Sequence, residues 1–130
     1  MRLVFGEKDA PYEEARVVVL PVPYDLSLSF LPGARRGPEA ILLASRELEP
    51  FLLELGAAPE EVGIHAAEPV PWVAGMAEES HRLIREEALK HLRAGKWLVA
   101  LGGDHSVTHP LVQAHREALG EFSLLHVDAH

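Results

Sequence analysis

The stretch "KWLVALGGDHS", Lys96 to Ser106, decides the fold. Trp97 to Leu101 is a short continuous apolar run, which reads as a strand buried on both faces. It runs into Gly102-Gly103, a pair that lets the chain turn sharply. An acid and a histidine, Asp104 and His105, follow at once.

Working outward, "VTHPLVQAHREALG" reads as a helix closed by Gly120, and "FSLLHVDAH", Phe122 to His130, as another apolar strand. Upstream, Glu78 to Arg93 has helical spacing: Leu83, Ile84, Ala88 and Leu92 form one apolar face, charges lie opposite, and Gly95 supplies a stop. Near the start, the run Val17 to Leu20 is bounded by Pro21 and Pro23, as expected of a short buried strand followed by a loop through Pro32-Gly33. Pro38 suits the first turn of a helix carrying Ile41, Leu42, Ser45 and Leu48, which Pro50 ends or kinks. "FLLELG" fits a helical turn or a strand, and "EEVGIHAAEPVPW" a short strand or an irregular connector. Strands alternating with helices argue for an α/β fold with a parallel sheet covered by helices. No repeat or linker divides residues 1–130, which read as a single domain.

Composition bounds the function. A hydrophobic fraction of 48% over 130 residues supports a real core and not disorder. The net charge of −8 argues against nucleic acid and anionic membranes as partners, and is compatible with a cationic substrate. The absence of cysteine excludes disulfides, thiolate catalysis and zinc ribbons. No apolar stretch approaches the roughly 18 residues of a membrane span, and Glu7, Lys8 and Asp9 interrupt any secretory h-region. A cytoplasmic location is expected.

In open parallel sheets, ligands bind beyond the carboxyl ends of the strands. Two expected strands end in acid and histidine, at Asp104-His105 and at Asp128-Ala129-His130. In extended chain, residues i and i+2 point the same way, so Asp128 and His130 form a chelating pair that His105 can join. A carboxylate with two imidazoles suits Zn²⁺, Mn²⁺ or Fe²⁺. The plainer reading is that such histidines are hydrogen-bonded surface or core groups. His126 shares the alternation and is either a partner orienting a ligand or a satisfied core histidine. Asp104 is likewise a candidate for orienting a ligand. His81 and His91 lie on a charged helix and are expected to be solvated. His109 and His115 are expected at the surface, and Trp72 and Trp97 are expected to pack.

"GGDHS" followed some twenty residues later by "HVDAH" resembles the ureohydrolase family of arginases and agmatinases. "VPYD", "SFLPGARRGPEAI", Ala44-Ser45 and Leu48-Glu49 resemble the N-terminal segment of its agmatinase branch. The resemblance implies a three-layer α/β/α sandwich and a centre of two Mn²⁺ ions, with His105 on one ion, Asp128 bridging both and His130 on the other. It implies hydrolysis of a small cationic guanidino substrate, agmatine or aminopropylagmatine, to urea and an amine in polyamine biosynthesis. Arginine, guanidino acids and formiminoglutamate are the alternatives within the family. A homo-oligomer, trimer or hexamer, is also implied. The family's remaining metal ligands and its catalytic and substrate-binding acids lie beyond DAH, and the glycine usual after its Tyr-Asp pair is absent from "YDLSLSF". The 130 residues therefore read as the N-terminal part of a ureohydrolase domain. A truncated, non-catalytic protein is the remaining alternative.

Overall fold

The computed structural model describes residues 4–27, 30–49 and 51–129. Among the described residues, three strands alternate with three α-helices: β1 (Val17–Val22), α1 (Gly37–Ser45), β2 (Ile64–Ala66), α2 (Ala77–Arg93), β3 (Trp97–Gly102) and α3 (Thr108–Leu119). The sheet is parallel, in the order β2-β1-β3. The chain thus leaves β1 toward one side and returns past it to the other. The two crossovers run in opposite directions along the sheet, and their helices pack on opposite faces.

The core confirms those layers. Leu20 and Val22 of β1 pack with Ile84, Ala88, Leu89 and Leu92 of α2 and Ala114 of α3. Val19, on the opposite face of β1, packs with Leu42 of α1 and Ile64 of β2. Period-two alternation in one β-branched run therefore feeds both apolar layers.

The helices follow local rules. Pro38 lies in the first turn of α1, where its missing N–H is harmless. Pro38, Leu42 and Ser45 are its buried residues, whereas Ile41 and Leu48 are exposed. Glu78 and Glu79 stand in the first turn of α2 and Lys90, His91 and Arg93 in its last, matching the helix dipole. Gly95 follows with a φ of 74°, the left-handed value expected of a helix stop. Pro50 lies outside the described residues. The stretch around Leu52 forms turns and one antiparallel bridge with Ala57, neither a regular helix nor a strand.

Three expectations are corrected. Residues 121–129 form no strand, and Leu124, Leu125 and Val127 are exposed. Apolar periodicity becomes a strand only with a ladder partner, and this run pairs with no described strand. β3 is not buried on both faces: Trp97 is 75% exposed and Val99 is exposed beside it, because α1 covers their face of β3 only near Leu101. Trp72, in contrast, packs against the α2 core and receives Arg35 over its ring at 5.7 Å.

The third correction concerns His91, which is only 2% exposed. Its Nδ1 lies 3.0 Å from the Tyr12 hydroxyl, and Glu87 Oε1 lies 3.2 Å from Nε2 without hydrogen-bond alignment. Leu89 and Leu92, buried neighbours on α2, carry the histidine inward with them. His81 is half-buried against the Tyr24 ring. His109 is exposed, and His115 is half-buried with Nδ1 2.8 Å from the Leu111 carbonyl.

Burial holds the His91 pKa below its ordinary value; Lys90 and His65 push the same way, while Glu87 opposes them. The unfolded chain then binds this proton more readily than the folded one. Its contribution to stability is complete above the unfolded pKa of about 6.5 and is lost as pH falls below it. The midpoint of urea denaturation is expected to fall between pH 7.5 and 5.5, and His91→Gln is expected to flatten that slope. Identical slopes in the two proteins would refute the assignment.

Candidate metal centre

The paired register of β1 and β3 runs from Val17↔Trp97 to Val22↔Gly102, so both strands finish side by side. This is also where the strand order reverses, the position at which open α/β sheets bind ligands. The loop after β1 carries Tyr24, Asp25 and Ser27, and the turn after β3 carries Gly103, Asp104, His105 and Ser106. The Asp104 amide donates to the Tyr24 carbonyl at 2.8 Å, stitching the two loops together.

Asp104 is buried and its carboxylate is fully engaged. Oδ1 accepts from the amide and hydroxyl of Ser106 at 3.0 and 2.5 Å. Oδ2 accepts from the amide and hydroxyl of Ser27 at 2.9 and 2.7 Å. Burial opposes its ionisation, but the bonds from Ser106 and Ser27 outweigh that and hold the carboxyl below its usual range. The same acid, with burial acting first, pushes the Tyr24 phenol above its ordinary value. Asp104 caps the short 3-10 turn His105–Val107. Its bonds therefore fix the backbone from which His105 projects.

His105 Nδ1 lies 3.1 Å from Asp128 Oδ2, and His126 Nε2 lies 3.1 Å from that same oxygen. The two imidazole centroids are 5.1 Å apart, edge to face. Although residues 121–129 are exposed, the Asp128 side chain is only 18% exposed, against 51% for His105 and 55% for His126. One donor atom from each of the three residues falls within 4.8 Å of the others. Ligands at right angles, each about 2.1 Å from one cation, lie about 3 Å apart. The spacing and the mixed imidazole–carboxylate set therefore fit a divalent metal.

Of the expected site residues, His105 and Asp128 come together, with His126 beside them. Asp104 supports the turn from below. His130 lies outside the described residues. Sequence reasoning missed Ser27 and Asp25. Asp25 is buried, and its Oδ2 accepts the amides of Gly33 and Arg35 at 2.8 and 3.3 Å, while Oδ1 lies 3.7 Å from the Arg35 guanidinium. Their available signal was chemical: short polar side chains after a buried strand bond local amides.

Comparison with known proteins agrees with the fold. The family model described as "Arginase family" matches residues 15–130. The N(1)-aminopropylagmatine ureohydrolase of Thermus thermophilus is 97% identical over 100% of this chain and 44% of its own length. A candidate agmatinase from Clostridium difficile superposes with a TM-score of 0.86 at 29% identity, over 92% of this chain and 44% of that one. Trypanosoma cruzi formiminoglutamase, solved with Mn²⁺, shares the fold with a TM-score of 0.74 at 24% identity, over 84% of this chain and 37% of that one. The chain spans less than half the length of the curated relatives it matches. With two loops meeting beyond a parallel sheet and a family model covering nearly all of its residues, the chain belongs to the arginase family.

Proposed function

We propose that the protein takes part in the manganese-dependent hydrolysis of a guanidino C–N bond, releasing urea and an amine in polyamine biosynthesis. The substrate we assign is N(1)-aminopropylagmatine, the compound named in the Thermus thermophilus relative. Agmatine is the second reading, favoured by the agmatinases among the relatives. The observation that carries the proposal is the convergence of His105 Nδ1 and Asp128 Oδ2, 3.1 Å apart, beyond the end of β3.

In this reading His105, Asp128 and His130 hold the metal, and His126 orients the Asp128 carboxylate from 3.1 Å. Mn²⁺, when bound, supplies a water acidic enough to act as a nucleophile near neutrality. That matters because a guanidinium carbon is a poor electrophile and the group stays protonated. The chain's own residues set the geometry: Asp104 fixes the His105 turn, and Asp128 gathers the two imidazoles. The net charge of −8 favours approach of a cation. The location proposed is the cytoplasm. No helix among the described residues is long and apolar enough to cross a membrane, which is compatible with that location. A homo-oligomer, trimer or hexamer, is proposed as its assembly.

The test is urea release by the purified, Mn²⁺-loaded protein from N(1)-aminopropylagmatine, agmatine and arginine, with formamide release from formiminoglutamate alongside. Aminopropylagmatine is expected to be the best substrate. Mn²⁺ binding with no release from any of the four would leave the non-catalytic reading in its place.

A further inference from the structure

We propose that Ser27 is a positioning residue for the His105 imidazole, acting from the β1 loop through Asp104. The inference rests on the metal-site reading above. His105 follows β3 directly; its side chain is half exposed, and its ring meets Asp128 and His126 of the exposed segment 121–129. On the sheet side its position is set by the backbone turn, and the Asp104 carboxylate holds that turn. That carboxylate carries four hydrogen bonds. Two come from Ser106 within the turn, and two come from Ser27, 77 residues away along the chain.

The division of labour is specific. The Ser106 bonds close the turn on itself and would do so wherever the turn sat. The Ser27 bonds tie it to a different loop, at the carboxyl end of the neighbouring strand. They therefore set where His105 stands relative to the rest of the sheet edge. Asp25, two residues before Ser27, anchors Gly33 and Arg35, so the β1 loop is itself held. Loss of the Ser27 hydroxyl leaves its amide bond to Asp104 in place. The buried carboxylate then lacks one of its four donors, and the turn gains freedom without losing its cap.

The experiment compares Mn²⁺ dissociation constants, read from the free-ion EPR signal, and thermal unfolding for the purified protein and its Ser27→Ala, Ser27→Thr and His105→Ala variants. Ser27→Ala is expected to weaken Mn²⁺ binding about tenfold, the scale of losses when a group supporting a ligand is removed. Ser27→Thr, which keeps the hydroxyl, is expected to stay within about twofold of the parent. If the alanine chain does not fold, Ser27→Cys, of similar size and a weak donor, takes its place with the same expectation. Unchanged affinity in Ser27→Ala beside a large loss in His105→Ala would overturn the role of Ser27 and leave the metal site standing. Unchanged affinity in His105→Ala would remove the metal site and this inference together. Equal losses of affinity and unfolding temperature in the alanine and threonine variants would make Ser27 merely structural and overturn the inference.

Discussion

Gly103→Ala is expected to destabilise the fold more than any other single methyl addition among its glycines. A Cβ at this position would overlap the Tyr24 carbonyl oxygen and stand 2.9 Å from its carbon. Both are backbone atoms and cannot swing aside like the end of a side chain. Tyr24 is also held: it is 2% exposed, its amide donates to the Val22 carbonyl, and its carbonyl accepts the Asp104 amide. Relief therefore requires moving the β1 loop off the β3 turn, breaking the 2.8 Å amide bond and straining the Ser27–Asp104 contacts. A loss of about 3 kcal/mol or more is expected, at the upper end of overpacking effects. That is a large part of the stability of a typical small domain. The measurement is the urea midpoint, with Gly95→Ala as control. Gly95 has nothing within 4 Å of its built Cβ and only its positive φ of 74° to lose, which costs about 1–2 kcal/mol. Equal midpoints for the two variants would mean that the loops do not approach this closely.

The same contact shows what a sequence can and cannot disclose. Gly102-Gly103 reads as a turn, and it is one; that it turns against Tyr24 is a fact of two loops meeting, which no local pattern encodes. Val17–Val22 is legible because an apolar run needs covering on both faces, and the helices supply that cover; Trp97–Gly102 is legible as a strand, but its Trp97 and Val99 stay exposed where no helix reaches. The α2 helix is legible because its period, end charges and stop agree with one another. His91 is misread because its charged neighbours suggest a solvated face, whereas Ala88, Leu89 and Leu92 around it are all buried. Residues 121–129 have the composition of a strand, yet a strand exists only through its neighbours. His105 could be placed from the rule that ligands gather beyond strand ends, whereas Asp128 reaches it from a segment that forms no strand. Ser27 could not, since its partner lies 77 residues away and a serine after a strand is usually a turn residue.

Asp128→Asn is expected to lower Mn²⁺ affinity about 100-fold or more while leaving the fold intact. The substitution keeps size and shape and removes the charge. In the parent, one oxygen, Oδ2, lies 3.1 Å from both His105 Nδ1 and His126 Nε2. A carboxylate oxygen gives that point full anionic character for a cation. An amide offers a neutral carbonyl on one side and a donor N–H₂ on the other, which repels metal. The loss should thus approach that of removing a ligand. Stability is a separate matter: residues 121–129 are exposed and add little to the core, so the unfolding midpoint should move by no more than about 0.5 kcal/mol. His115→Ala is the control for affinity, since its ring bonds the Leu111 carbonyl within α3 and sits against Phe122. Titration of all three proteins with Mn²⁺, followed by loss of the free-ion EPR signal, separates the cases. Wild-type affinity in Asp128→Asn would show that the carboxylate gathers the two histidines only in the metal-free chain. The ligands would then have to be sought elsewhere along the β1–β3 edge.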